Sequence, residues 1–283
     1  MNQLKATTIE DKSDEIDFEK FIHLIRSESF YVYGIGKVAE RFVRYLEREK
    51  LLTHIMGFIV SLPQSKMEPF HGRKVYSIQE VDCNSLILIA TDVTSKDEIE
   101  EILNVLRFKK YIWIYWMLYD LFLGPPVRFD ALVMVNKVFK GSIQANWIAT
   151  CYCVIEDYFG KNNYGRDLYV SFAKMFFSEA AARKDLKRFW ERIAECAIRG
   201  FQQDYNIKIN KEHTLVLDGA HRIALASFFQ INQLRADIYE CNTQKYQDLY
   251  GVDGFVSRSD DNILSSYLTY KEFQLIKKVF DRI

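Results

Sequence analysis

From Phe30 to Trp116 short apolar runs alternate with amphipathic stretches, and no other feature of the sequence restricts the fold as tightly. FYVYGIG (30–36) reads as an apolar strand ending in a glycine turn. VAERFVRYLEREKLL (38–52) then sets Val38, Phe42, Val43 and Leu46 at helical spacing among Glu, Arg and Lys. IMGFIVS (55–61) is a second strand, and a loop with Pro63, Pro69 and Gly72 leads to a third, LILIAT (86–91). DEIEEILNVL (97–106) has the pattern of an amphipathic helix and YIWIYW (111–116) that of another strand. Strands alternating with helices in this way imply a parallel sheet with right-handed crossovers, a Rossmann-like α/β arrangement.

The chain of 283 residues exceeds one ordinary domain, and about two are expected at ~100–200 residues each. Half of it is apolar, enough for a substantial core. Lys plus Arg number 38 and so do Asp plus Glu. A protein that neutralises a nucleic-acid backbone carries a basic excess, so DNA and RNA are not the expected partners. Five cysteines, an odd number, and a polar, acidic start without a signal peptide point to reduced thiols and a cytoplasmic location. The pair Cys151 and Cys153 lacks zinc-knuckle spacing and reads as apolar-face thiols of a helix or strand. No apolar run reaches the ~18 residues of a membrane span. The nearest, YIWIYWMLYDLFL (111–123), contains Asp120 and reads as a buried strand running into a connector.

LGPPVRF (123–129) is the hinge, since glycine and two prolines continue neither strand nor helix. It separates a Rossmann-like domain at 1–123 from a C-terminal α+β domain at 124–283. Helix formers dominate 127–200, the best case being KDLKRFWERIAECAIRG (184–200), with Phe189, Ile193, Ala194 and Ala197 on one face and Gly200 placed as C-cap. Two short strands follow, YNIKIN (205–210) and TLVLD (214–218), and then at once a helix, AHRIALASFF.

Two glycine turns are candidate binding sites. In the first, Gly34, Gly36 and Ala39 fit G-x-G-x-x-A, which allows a tight turn, close backbone approach and a phosphate at the helix start. A dinucleotide site also needs an acid after the second strand, to hold the ribose hydroxyls. Here the region reads GFIVSLPQ, with Ser61 and Gln64 but no acid. NAD is therefore expected to bind weakly or not at all, and a turn kept for packing explains the glycines equally well.

The second is LVLDGAHRIALA (215–226). Asp218 is expected to cap the helix, and Gly219 to let the chain turn sharply. His221 and Arg222 then project from the first helical turn beside free amides and the positive end of the dipole. Amides, imidazole and guanidinium at one helix start make a phosphate cradle. Chemistry alone leaves a plainer reading open: a cap, a surface ion pair and a satisfied half-buried histidine.

LVLDGAHRIALA resembles the signature of the ParB/sulfiredoxin superfamily: a strand, a D/G-G-x-H/R-R box and an alanine-rich helix. Plasmid-partition proteins, sulfiredoxin and free-serine kinases carry this box, and in them it contacts nucleotide phosphates. With the preceding helix and strand pair the resemblance covers about 184–240. Departures narrow what it implies. Ala220 stands where sulfiredoxin has its cysteine and where the serine kinases have a further histidine. The helix-turn-helix reader of the partition proteins is not evident. The nearest group is ParB-like proteins of polysaccharide gene clusters, which have D-G-[ST]-H-R-[IL]-A and a tail similar to YGVDGF (250–255) and LTYKEFQLIKKVF (268–280) here. The N-terminal half, through YGIGKVAERF, GFIVS, GRKVYSIQEV and LILIAT, is similar to small Rossmann-like modules of bacterial surface-polysaccharide enzymes.

The resemblance implies ATP or CTP as ligand, with Mg2+, held by Gly219, His221 and Arg222, while Asp218 orients His221 or reaches the metal. Glu156 and Asp157, in VIEDYFGKNNYGRDLY, are candidate bases and Arg166 a second anion contact. An acidic pair at a helix end is also commonly just solvated. The expected function is a nucleotide-dependent phosphotransferase acting on a sugar or amino-acid derivative in envelope or capsule polysaccharide biosynthesis, with room for a homodimer. The alternatives are a non-catalytic nucleotide or nucleotide-sugar binding module partnering a glycosyltransferase and, third, an NAD-dependent sugar-modifying enzyme. The charged run DKSDEIDFEK (11–20) reads as an exposed helix start.

Overall fold

The computed structural model describes residues 18–61, 68–91, 95–175, 178–250, 264, 267–280 and 282. Pro63, Gln64, most of the run 11–20 and the tail residues 251–255 lie outside them. The chain divides into two compact units, Met1–Phe122 and Leu123–Ile283.

The first unit is a five-stranded, wholly parallel sheet in the order β3-β2-β1-β4-β5. Its strands are β1 (Phe30–Tyr33), β2 (Ile55–Val60), β3 (Val75–Ser77), β4 (Ile87–Ile89) and β5 (Tyr111–Trp113). Its helices are α1 (Phe18–Ser27), α2 (Lys37–Arg48), α3 (Lys96–Val105) and α4 (Met117–Leu123). The strands are apolar because both faces are covered. Phe42, Val43 and Leu46 of α2, and Ile99 and Leu103 of α3, are buried with Val32, Ile59, Leu88 and Ile89. The α/β reading of this half is therefore correct. Two details differ. The α2 helix stops at Arg48, because Lys50 takes a positive φ of 59°. The stretch after β5 is the helix α4 and not a plain connector, since Leu118, Phe122 and Leu123 recur at helical spacing and are buried.

The order of strands reverses between β1 and β4, where open α/β sheets place their ligands. The turn Gly34–Gly36 stands there. Gly34 has φ +113°, and a Cβ on it would lie 2.8 Å from the Ala90 carbonyl oxygen at the end of β4. Its lack of a side chain is required by the approach of one strand end to the next. Gly36 begins α2 with ordinary φ and open space around it. Ser61, where an acid would stand, hydrogen-bonds the Tyr33 hydroxyl.

The second unit holds a mixed sheet in the order β6-β9-β7-β8. β6 is Arg128–Met134, β7 Ile207–Asn210, β8 Val216–Asp218 and β9 Gln233–Tyr239. The helices are α5 (Val135–Gly141), α6 (Ala145–Tyr158), α7 (Gly165–Ala173), α8 (Glu179–Arg199), α9 (Ala220–Phe228), α10 (Thr243–Tyr250) and α11 (Tyr270–Phe280). β6 corrects the helical reading of 127–200. It pairs antiparallel with β9, Leu132 opposite Arg235 and Val133 opposite Leu234, with a bulge between Arg128 and Ala131. A partner some 100 positions away supplies its ladder, and nothing local announces it.

α6 is the axis of this unit. It packs against α7, α8, α9 and α11, so a helix buried on nearly every side needs no polar face. Cys151 and Cys153 are both buried in it, and all five cysteines are free. α8 ends as expected on Gly200, with φ +77°. Among the described residues no helix is long and apolar enough to cross a membrane.

Candidate functional site

β8 hands over to α9 through Gly219, which is the N-cap residue and sits in the left-handed region at φ +108°. A Cβ there would also stand 2.5 Å from Ile207 Cγ2 on β7. Geometry and packing both demand glycine.

Asp218 does not cap the helix, and among the described residues no other side chain does. Gly219 is the N-cap instead, and Asp218 Oδ2 accepts from Arg222 Nη2 at 2.9 Å. Arg222 Nη1 donates to the carbonyls of Tyr205 (2.5 Å) and Asn206 (2.9 Å). The guanidinium is thus a staple between α9 and the entry to β7, and not the solvated group expected of a vacant phosphate site. The first main-chain bond of α9 runs from Ile223 N to Gly219 O. Among the described residues the amides before it have no capping oxygen, and they keep the positive end of the helix.

His221 turns inward. Its ring stacks on Phe189 of α8 with centroids 4.2 Å apart, and Tyr169 of α7 and Trp147 of α6 complete the enclosure at 5.9 and 6.0 Å. The Tyr169 hydroxyl donates to Asp185 Oδ2 at 2.6 Å and lies 2.9 Å from His221 Nε2. Burial lifts the Tyr169 phenol far above its ordinary range, and Cys151 and Asp185 add to this. Burial lowers the His221 pKa below its ordinary value, Asp185 and Asp218 opposing and Arg222 adding. Both groups are therefore neutral near pH 7. A phenol has one proton and gives it to Asp185, so His221 must supply the other with Nε2–H. That tautomer leaves the Nδ1 lone pair without a partner among the described residues. Histidine, tyrosine and aspartate form a proton-holding chain of the kind that orients a base.

The acidic pair is elsewhere. Tyr152 of α6 meets Phe228 of α9 and Trp147 meets His221, so the two helices run side by side in one direction. Glu156 and Asp157 follow Trp147 by nine and ten positions, which carries them at least roughly 13 Å down the helix axis from His221. They are not solvated either, at 5% and 8% exposure. Both Glu156 oxygens take Arg282, at 2.6 and 3.1 Å. Asp157 takes the Arg166 main-chain N–H (3.0 Å) and Nε (3.2 Å), and the Arg166 guanidinium lies over the Trp190 ring. Two expectations are corrected together: these residues do not converge on the α9 start, and they are buried carboxylates paired with part-exposed arginines. Gly34 and Gly36 belong to the other unit.

Asp218 is held by Arg222, Asp185 by Tyr169, and among the described residues no three His, Cys, Asp or Glu converge to hold a metal. Tyr169, Asp185, Phe189 and Trp147 were not singled out from sequence as site residues. A partial signal existed, since Asp185 lies one turn before Phe189 on the core-facing side of α8. No protein-family model, curated protein or solved structure matches this chain.

Proposed function

We propose that the second unit is a nucleotide-dependent phosphotransferase whose working end is the start of α9. The observation that carries the reading is the first turn of α9, uncapped among the described residues, beside a neutral, tautomer-fixed His221. Anionic phosphate suits the free amides and the helix dipole. The Nδ1 lone pair of His221 suits a general base. In the step envisaged, Nδ1 takes the proton of an acceptor hydroxyl while its oxygen bonds to the terminal phosphorus. The bond from that phosphorus to the bridging oxygen breaks, and a nucleoside diphosphate leaves. The imidazolium so formed keeps its Nε2–H bond to the Tyr169 oxygen, and the Asp185 carboxylate behind that hydroxyl offsets its charge until the Nδ1 proton is released to solvent. No step is routed through a protein-held metal.

The box resembles that of nucleotide-binding ParB/sulfiredoxin-like proteins, which supports ATP or CTP as donor and a sugar or amino-acid derivative of polysaccharide biosynthesis as acceptor. One observation favours a second reading, a binding module without chemistry: Arg222 commits three of its five N–H donors to Asp218 and two carbonyls, a structural duty that ties the guanidinium to the protein. Time-resolved release of ADP or CDP in the presence of magnesium and a panel of sugars and amino acids separates the two. Turnover that His221→Asn abolishes supports the phosphotransferase. Saturable binding without turnover supports the module, and a wild type indifferent to every nucleotide overturns both.

A further inference from the structure

Tyr169 lies one turn into α7, and the start of α7 is held by side chains from α6 and the loop after it. Asn162 Oδ1 accepts from the main-chain N–H of Tyr164 (3.1 Å) and of Gly165 (3.0 Å), and Asp157 Oδ2 accepts from that of Arg166 (3.0 Å). Three successive amides at a helix start are thereby satisfied by groups outside the helix, where a carboxylate also suits the dipole. The two helices touch backbone to backbone: a Cβ on Gly165 would stand 2.2 Å from the Cys153 carbonyl oxygen. At that separation α7 cannot shift without α6.

The same knot reaches the last described residue. Asn162 Nδ2 donates to the Cys153 carbonyl at 3.0 Å and reaches Glu156 at 3.5 Å. Glu156 is gripped at both oxygens by Arg282, which follows α11. α11 packs along α6, and its Phe280 ring lies 5.8 Å from Phe139 of α5. Removing the partner of a carboxylate this buried leaves it unpaired, which is strongly destabilising. Arg282 is the cation within salt-bridge distance of it among the described residues.

We infer that α11 is a latch: by seating Arg282 on Glu156 it holds the α6–α7 junction, and through that junction it sets the Tyr169 hydroxyl that orients His221. Glu156, Asp157, Asn162 and Arg282 are positioning residues in this scheme. Its bearing on turnover rests on the phosphotransferase reading, whereas its geometric content does not.

The test is an NMR experiment on the full chain, recording the His221 imidazole nitrogens for tautomer and titration, with amide hydrogen exchange of α7. In Arg282→Met the latch predicts at least tenfold faster exchange from Leu168 to Val170, a mixed His221 tautomer and a His221 titration moved up toward the ordinary value. Arg282→Lys, which keeps the charge, should recover most of each. Glu156→Gln keeps an accepting oxygen for Arg282 and should shift the same signals less; it serves as the deciding variant if Arg282→Met does not fold. A folded variant with a lower melting temperature but unchanged α7 exchange and His221 signals overturns the latch. Nucleotide binding is measured separately, so a wild type that binds none overturns the proposed function while leaving this result readable.

Discussion

The Tyr169 hydroxyl stands 2.9 Å from His221 Nε2, and because it gives its only proton to Asp185 it dictates which nitrogen of His221 is protonated. The three residues come from α7, α8 and α9, and the ring of Phe189 lies flat against the imidazole. Tyr169→Phe keeps this packing and removes only the oxygen. Two half-buried polar groups then lose their partner, an expected loss of about 1–3 kcal/mol, read as a lower midpoint in urea. The phosphotransferase proposed above should lose more turnover than stability, and the His221 nitrogens should report mixed tautomers. A Phe variant with wild-type stability and an unchanged His221 spectrum would show that the hydroxyl contact is incidental.

Acid should destabilise the second unit through its histidines. The folded His221 pKa is lowered by burial from the ordinary 6.5, and that of His213 is lowered by burial and by Lys137 and Arg128. A folded value below the unfolded one means that the unfolded chain binds more protons in the window between them. Stability is then complete above pH 6.5 and falls as pH drops from 6.5 toward the folded values. Urea midpoints taken between pH 7.5 and 5 should decline, and His221→Gln should reduce the slope without abolishing it, since His213 remains. A slope identical in the variant would remove His221 as a cause.

Arg222→Ala is expected to cost on the order of 2 kcal/mol of stability, because a part-buried staple to two carbonyls and a carboxylate is lost. Asp218→Ala should cost less, about 1 kcal/mol, since Arg222 keeps its carbonyl partners and no helix cap is removed. Calorimetric melts of both variants check the order. If Asp218 were the cap that its position in the sequence suggests, Asp218→Ala would be the more damaging of the two.

Gly34 and Gly36 should behave differently. Gly34→Ala combines a left-handed φ with a carbonyl 2.8 Å from the new Cβ, an expected loss of about 2–3 kcal/mol in the first unit. Gly36→Ala meets nothing within 4 Å and should leave the melt unchanged. With Ser61 bound to Tyr33 and no acid following β2 in the sequence, NAD should show no micromolar affinity by calorimetry for the wild type. Tight NAD binding that Gly36→Ala abolishes would reverse this reading of the turn.

Much of the local architecture was legible in the residue pattern. The 3.6-residue spacing of Phe42, Val43 and Leu46 and the apolar runs at Phe30, Ile55 and Ile87 state helix and strand without reference to anything distant. Gly34, Gly200 and Gly219 mark turns that only a residue without a side chain makes cheaply. β6 was not legible, because its ladder belongs to β9. The role of Glu156 and Asp157 was only half legible. NNYGRD, with Asn162 three positions before Gly165, is an N-terminal helix signal, yet nothing in it shows that Asp157 would reach back to the same helix start.

Periodicity and glycine placement determined, from the sequence alone, the parallel sheet of the first unit, the hairpin of β7 and β8, and a helix start immediately after Asp218. The elements follow from neighbours within a few residues, and the parallel pairing in the first unit from the alternation of strand and helix, whose crossovers take one hand. Tertiary structure alone decided what that helix start contains. It turned Asp218 from the amides to Arg222, brought Tyr169 and Asp185 to His221, and joined Glu156 to Arg282 across 126 positions. A hydrogen bond between distant residues depends on which helices pack and at what separation, and a single sequence records the packing surfaces without recording their partners.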